Sequence, residues 1–269
     1  MKELQEFNQF FKEYSITSLK KRLGGVKEVF EICSYVFEVG GKFFRPFLLY
    51  KVAEYIDYSR RDKVLPFCLA LELIHNYSLI HDDLPCMDNA DFRRGVPTVH
   101  KKFGEAEAVL AGDMLLTLAF DFVSDCKDFE PQRVLRAIKK MSQYSSYRYL
   151  ITGQFFDIWI QKNRMERNEQ SIKITNMYKT SGLILLAVEI PIILFQPIYS
   201  IAYKLVRYGY LLGLLFQATD DFMDNDGLAM VLGKEELRDL IDKLYNRISK
   251  IELNESLKDI ARFVYDRVL

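Results

Sequence analysis

A helical period that runs through almost the whole chain, with few residues able to interrupt it, narrows the fold more than any other feature. Leu69, Leu73, Tyr77 and Ile80 form one apolar stripe at helical spacing, and Val109, Leu116 and Phe120 begin another. Only 13 Gly and 7 Pro punctuate the 269 residues. The one Asp-Gly pair, Asp226-Gly227, ends an apolar helical run instead of joining two alternating strands. No repeat of about 20–50 residues points to a solenoid. Breaks fall near Gly24-Gly25, Gly40-Gly41, Asp57 to Asp62, Asn89 to Gly95, Asp125 to Pro131, Asn163 to Glu169 and Pro197, and none resembles an interdomain linker. The expectation is one all-α domain over residues 1–269. Beyond Lys234 the spacing of Leu237, Ile241, Leu244 and Ile248 predicts an amphipathic helix packed on the outside.

Lys+Arg and Asp+Glu both number 37, a balance that argues against a general nucleic-acid binder. Cys33, Cys68, Cys86 and Cys126 contain no CxxC pair and read as neither zinc site nor disulfide framework. The N-terminal MKELQEFNQFFKEYS lacks the apolar core of a secretory signal, so a cytoplasmic setting is expected. The most apolar stretch, Leu183 to Phe195, is shorter than the roughly 20 residues of a membrane span and reads as a buried core helix.

Two places break the helical pattern in the same way. Adjacent aspartates, Asp82-Asp83 and Asp220-Asp221, end apolar runs, and each pair is followed by a third, Asp88 and Asp224. Buried carboxylates are costly unless paired or metal-bound, and adjacent ones repel. Asp220 and Asp224 share a helical face, whereas Pro85 must break the helix for Asp88 to return toward Asp82. All-oxygen clusters suit a hard cation, and Mg²⁺ is held by a few carboxylates together with water and substrate phosphates. Two such clusters facing each other would grip a diphosphate. An EF-hand starting near Asp224 fails, because its first and last ligand positions would be Phe222 and Gly233. Basic residues are interleaved with the clusters: Lys42 and Arg45 behind Gly40-Gly41, Arg93-Arg94, and Lys179 beside Thr180. His75, two helical turns before Asp82, reads as a hydrogen-bonding group in a cleft, and His81 and His100 as structural.

These residues resemble the polyprenyl (trans-isoprenyl) diphosphate synthase family, especially its farnesyl and geranylgeranyl diphosphate synthases. The likeness runs from about residue 35 to 227. It rests on Leu73-Ile74-His75-Asn76-Tyr77-Ser78 through Asp88, Phe92-Arg93-Arg94-Gly95, Ala111-Gly112-Asp113, Gly153-Gln154, Lys179-Thr180 and Phe216-Gln217 before Asp220. The resemblance implies a bundle of mostly antiparallel helices around a deep central cleft, usually a homodimer, that joins isopentenyl diphosphate head to tail to an allylic diphosphate. It implies that Lys42, Arg45, His75 and Arg94 hold isopentenyl diphosphate. Asp82, Asp83, Asp88, Asp220, Asp221 and Asp224 would bind Mg²⁺, up to three ions with substrate, and Arg93, Lys179, Thr180 and Gln217 would contact the allylic partner. Of these, Asp82, Asp83, Asp88, Lys179, Asp220 and Asp221 would carry the catalysis.

Tyr77 and Ser78, just upstream of Asp82, would form a floor that sets product length, and a fifteen-carbon product is expected, with geranylgeranyl or geranyl diphosphate as alternatives. About twenty residues of the family pattern, including one or two lysines, are missing after Asp224, where Lys234 is the only nearby stand-in. That departure keeps open a non-catalytic prenyl-diphosphate-binding subunit. A class I terpene cyclase is the third reading, disfavoured because it has no use for Lys42, Arg45 and His75.

Overall fold

A computed structural model describes residues 2–268. The described chain is helical apart from one two-residue hairpin, and it divides into two compact units. The first comprises the chain up to Phe47 together with Leu65–Asp128; the second comprises Leu48–Val64 and everything from Phe129 onward.

The first unit holds α1 (Lys2–Leu23), α2 (Lys27–Val39), the start of α3 (Phe44–Ile56), α4 (Leu65–Asp82), α5 (Val99–Phe103) and α6 (Glu105–Ser124). In α1 the residues Leu4, Phe7, Phe11, Ser15 and Leu19 are buried at steps of three and four, as one helical face requires. α4 is apolar almost all round: every residue from Phe67 to Ile74 is buried, as are Asn76, Tyr77 and Ile80. A helix with that pattern belongs in the middle of a unit, and α6 is its main neighbour there. The register expected for α6 is corrected. Val109 is 41% exposed, and the inward face is Ala108, Ala111, Gly112, Leu115, Leu118 and Ala119. Ala108, Ala111, Gly112 and Ala119 make up most of this face, with Gly112 close against His81 of α4, which leaves few large side chains to mark the stripe.

Between α4 and α5 lies the hairpin, β1 (Phe92–Arg93) against β2 (Val96–Pro97), antiparallel with Phe92 opposite Pro97. Its turn is Arg94-Gly95 with φ of +54° and +80°. Two successive positive φ values match the twist of a tight hairpin. Arg-Gly is a weaker signal for such a turn than Asn-Gly.

The second unit holds α7 (Pro131–Ser145), α8 (Leu150–Gln161), α9 (Glu169–Asn176), α10 (Gly182–Phe195), α11 (Tyr199–Asp224), α12 (Leu228–Leu232), α13 (Lys234–Ser249) and α14 (Glu255–Tyr265). Asn168 caps α9 in a reciprocal capping box with Ser171, and Asn254 caps α14. α10 is a core helix as its composition predicts, buried nearly throughout with Pro191 inside it. It is longer than expected, because α9, a π-helical turn (Met177–Ser181) and α10 run on without a break. That run, Glu169–Phe195, and Tyr58–Asp82 are long and apolar enough to cross a membrane, with 56% and 67% of their apolar windows buried in the protein. α13 buries the expected stripe Leu237, Ile241, Leu244 and Ile248 and packs on α11. Tyr208 of α11 donates to the Leu257 carbonyl at 2.7 Å and ties α14 to the same helix.

Candidate active site

In the first unit the site grows from the C-terminal end of α4. After Asp82 the chain folds back on itself: Asp88 N donates to Asp82 O at 2.9 Å, Asn89 N to Leu84 O at 3.0 Å and Ala90 N to Asp83 O at 3.1 Å. The return that Pro85 was expected to allow is therefore made by backbone hydrogen bonds. Asp83 is 4% exposed. Arg93 Nε donates to both its oxygens at 2.9 Å, and Nη2 to one of them at 2.6 Å. Asp82 is half-buried and Asp88 exposed.

One and two turns earlier, α4 carries a polar group inside the unit. Arg45 Nη1 lies 3.2 Å from His75 Nε2. Burial, reinforced by the charges of Arg45, Arg94 and Arg93, pushes the His75 pKa well below the ordinary histidine value. His75 is thus neutral, and its Nε2 accepts from the guanidinium. Glu72, 2% exposed, has its pKa raised by burial, while Arg45 and Arg94 pull the other way. Asn76 donates to the Glu72 carbonyl at 2.9 Å. Arg94 reaches back to the Gly40 carbonyl, and Lys42 is exposed. Tyr77 is buried with its ring edge-on to His81 at 5.9 Å, and Ser78 back-bonds to the His75 carbonyl. His81 Nε2 contacts the Val109 carbonyl at 3.1 Å, and buried His100 contacts Thr98 at 3.0 Å, both structural arrangements.

In the second unit the C-terminal turn of α11 repeats the pattern. Asp221 is 6% exposed and accepts three hydrogen bonds: from Gln217 at 2.7 Å, Asn176 at 2.7 Å and the Leu228 backbone at 2.9 Å. Burial raises its pKa, which the three donors oppose. Gly227, at φ +52°, passes so close to this carboxylate that a Cβ would collide with it. Asp220 is half-buried and paired with Arg267; Asp224 is exposed. Lys179 and Thr180 sit in the π-helical turn, a local widening that often marks functional positions. Lys179 Nζ bonds Asp157 of α8 at 2.5 Å. α8 approaches that turn through Gly153, where any Cβ would strike the Lys179 backbone. Lys234 opens α13 and lies over the Phe222 ring at 5.4 Å.

Glu72, Asn76, Asp157, Asn176 and Arg267 were not singled out from sequence. Glu72 carries the best signal, a charged residue within an apolar run; Asn176 lies one turn before Lys179-Thr180 with nothing to mark it, and Arg267 is far from any motif.

In each aspartate pair, then, the second member is buried and held by donors of its own unit, while its neighbours stay more open. Among the described residues no three His, Cys, Asp or Glu side chains converge into a ready-made metal site.

The sequence profile of the polyprenyl synthetase family matches residues 26–261. A chloroplastic geranylgeranyl pyrophosphate synthase of Arabidopsis thaliana is 36% identical over 237 residues, 86% of this chain and 67% of that protein. A geranylgeranyl diphosphate synthase of Methanosarcina mazei is 36% identical over 222 residues, 82% of this chain and 66% of that one. The chain thus spans about two thirds of the length of these relatives. The crystal structure of an FPP/GFPP synthase from Zymomonas mobilis superposes with a TM-score of 0.88 at 30% identity, covering 98% of this chain and 99% of that one. With both aspartate pairs inside the matched stretch, the chain belongs to the polyprenyl synthetase family and is a transferase of the trans-prenyltransferase type.

Proposed function

We propose that this protein condenses isopentenyl diphosphate head to tail with an allylic diphosphate and releases geranylgeranyl diphosphate. The observation that carries this reading is the repeated treatment of the two aspartate pairs. Asp83 and Asp221 are buried and fixed by Arg93 and by Gln217, Asn176 and Leu228, whereas Asp88 and Asp224 are exposed, Asp82 is half-buried, and Asp220 is half-buried in an ion pair with Arg267. In the proposed assignment Asp82, Asp88, Asp220 and Asp224 hold Mg²⁺, and Asp83 and Asp221 complete the set by securing the turns that carry them. Bound Mg²⁺ neutralises diphosphate charge and so favours its departure. Arg93, Lys179, Thr180 and Gln217 orient the allylic diphosphate; Lys42, Arg45, His75 and Arg94 hold isopentenyl diphosphate. Neutral His75 accepts from Arg45 Nη1 and so helps to orient the guanidinium toward phosphate. The allylic C–O bond breaks with its electron pair leaving on the diphosphate. The isopentenyl π pair forms the new C–C bond, and a proton passes from the substrate to the released diphosphate. An apolar, water-excluding setting protects the carbocation.

The twenty-carbon product replaces the fifteen-carbon expectation because both curated relatives described above are named geranylgeranyl synthases. A fifteen-carbon product is the second reading, favoured by the bulk of buried Tyr77 and by the name of the Zymomonas mobilis neighbour. Product mass from purified protein with Mg²⁺, dimethylallyl and isopentenyl diphosphates tests both. A C20 diphosphate supports the first, C15 the second, a hydrocarbon a cyclase, and no product a binding subunit. If Tyr77 and Ser78 form the floor, Tyr77→Ala lengthens the product, and an unchanged product removes that role from Tyr77.

We further propose that both units act as a single domain, since the family match runs through both. A homodimer is proposed on α6, whose Val109, Leu110 and Met114 are 41%, 67% and 36% exposed. Four free cysteines suit a reducing, cytoplasmic compartment.

A further inference from the structure

The second unit contains a cavity of about 580 Å³ between α9, α11 and α13, adjoining the residues that donate to Asp221. Its walls are mainly Ile174, Met177, Tyr210, Leu214, Leu240 and Leu244. The volume lies within the roughly 300–1,000 Å³ of small-ligand sites, which pair an apolar lining with few polar groups. Ile174, Met177, Leu214 and Leu240 are only half-buried and Tyr210 is 45% exposed, so the unit leaves this surface incompletely covered. The apolar face also continues outward along α11 through Val206, Tyr203 and Tyr199, which are 38%, 57% and 84% exposed. From Tyr199 to Leu214 this strip runs about 22 Å at 1.5 Å per residue, long and narrow.

The rim is charged. Lys173 is neutralised by Glu169 one turn away, but exposed Arg247 has no ion-pair or hydrogen-bond partner among the described residues. One uncompensated guanidinium beside an elongated apolar trough selects a ligand with a long hydrocarbon chain and one anionic head.

We propose that this cavity binds an apolar-chain anion, with the chain between α11 and α13 and the head on Arg247. The site does not depend on the prenyl-transfer reading. No aspartate lines it; Gln217, Asn176 and Leu228 reach its wall but already donate to Asp221, and of these only Gln217 is among the residues proposed to hold substrate.

Calorimetric titration with dodecyl phosphate, in EDTA to suppress metal-dependent diphosphate binding, tests it. Arg247→Ala should weaken dodecyl phosphate about tenfold while leaving 1-dodecanol unchanged. Ile174→Trp, which fills the trough from a half-buried position, should abolish binding of both; Leu240→Trp serves in its place if that variant melts early. Equal affinity for dodecyl phosphate in wild type and in either the Arg247 or the filling variant would overturn the proposal. Flotation with phosphatidic acid vesicles separates the sources of such a ligand. Arg247-dependent co-flotation assigns the site to membrane lipid, and dodecyl phosphate binding without co-flotation assigns it to a free amphiphile.

Discussion

Arg93 places its guanidinium nitrogens on both oxygens of a carboxylate that water hardly reaches. Removing one partner of a buried ion pair costs about 3–5 kcal/mol, and the 38% exposure of the Arg93 side chain brings the expected loss to about 2 kcal/mol. Urea unfolding of Arg93→Ala should show it, with Arg93→Lys recovering only part because an ammonium cannot fork. His75 gives a pH signature. Its folded pKa lies well below the ordinary histidine value of about 6.5, so below about that pH the unfolded chain binds a proton that the folded chain refuses. Stability conferred by neutral His75 is present above that value and is lost as pH falls through it. Wild type should therefore lose stability between pH 7.5 and 5.5 relative to His75→Gln, and parallel unfolding curves for the two would contradict the assignment. The aspartates themselves were legible because carboxylates at the end of apolar runs need a reason to be there. Which of them would be tied down was not, since Asn176 lies 45 positions from Asp221 and nothing local marks the pair.

At the scale of the element, α4 was legible only as the stripe Leu69, Leu73, Tyr77 and Ile80 and is buried on nearly every side, while α10 could be read as a core helix from its composition. The face of α6 could not, since alanine and glycine carry little hydrophobic signal and the larger Val109 points outward. Nor could the π-helical turn at Met177–Ser181, which shifts the register of Lys179 and Thr180 within a helix otherwise continuous from Glu169 to Phe195. Gly153 is the device that lets α8 pass this turn. Gly153→Ala should push the two apart at a cost of about 1–3 kcal/mol, as overpacking does. With the Lys179–Asp157 pair displaced, KM for the allylic diphosphate should rise more than KM for isopentenyl diphosphate. Steady-state kinetics with each substrate varied in turn reads the difference.

At the scale of the whole molecule, the family match crosses both compact units, and each unit contributes one aspartate pair. The short connection after Asp224, noted as a departure from the family pattern, folds as the single turn of α12 and is anchored on Asp221 through Leu228. The segment packs as part of the second unit, and the expected departure from the family pattern is its shortness, about twenty residues with one or two lysines. In the proposed function both pairs serve the same transfer step. Groups acting as a unit lose their effect together, so their separate removals do not multiply. The decisive measurement is kcat for Asp82→Asn, Asp220→Asn and the double variant at saturating Mg²⁺ and substrates. The prediction is a loss of about a hundredfold or more in each single variant, in line with removing one electrostatic stabiliser, and little further loss in the double. Single variants that keep wild-type turnover, or losses that multiply in the double, would contradict it.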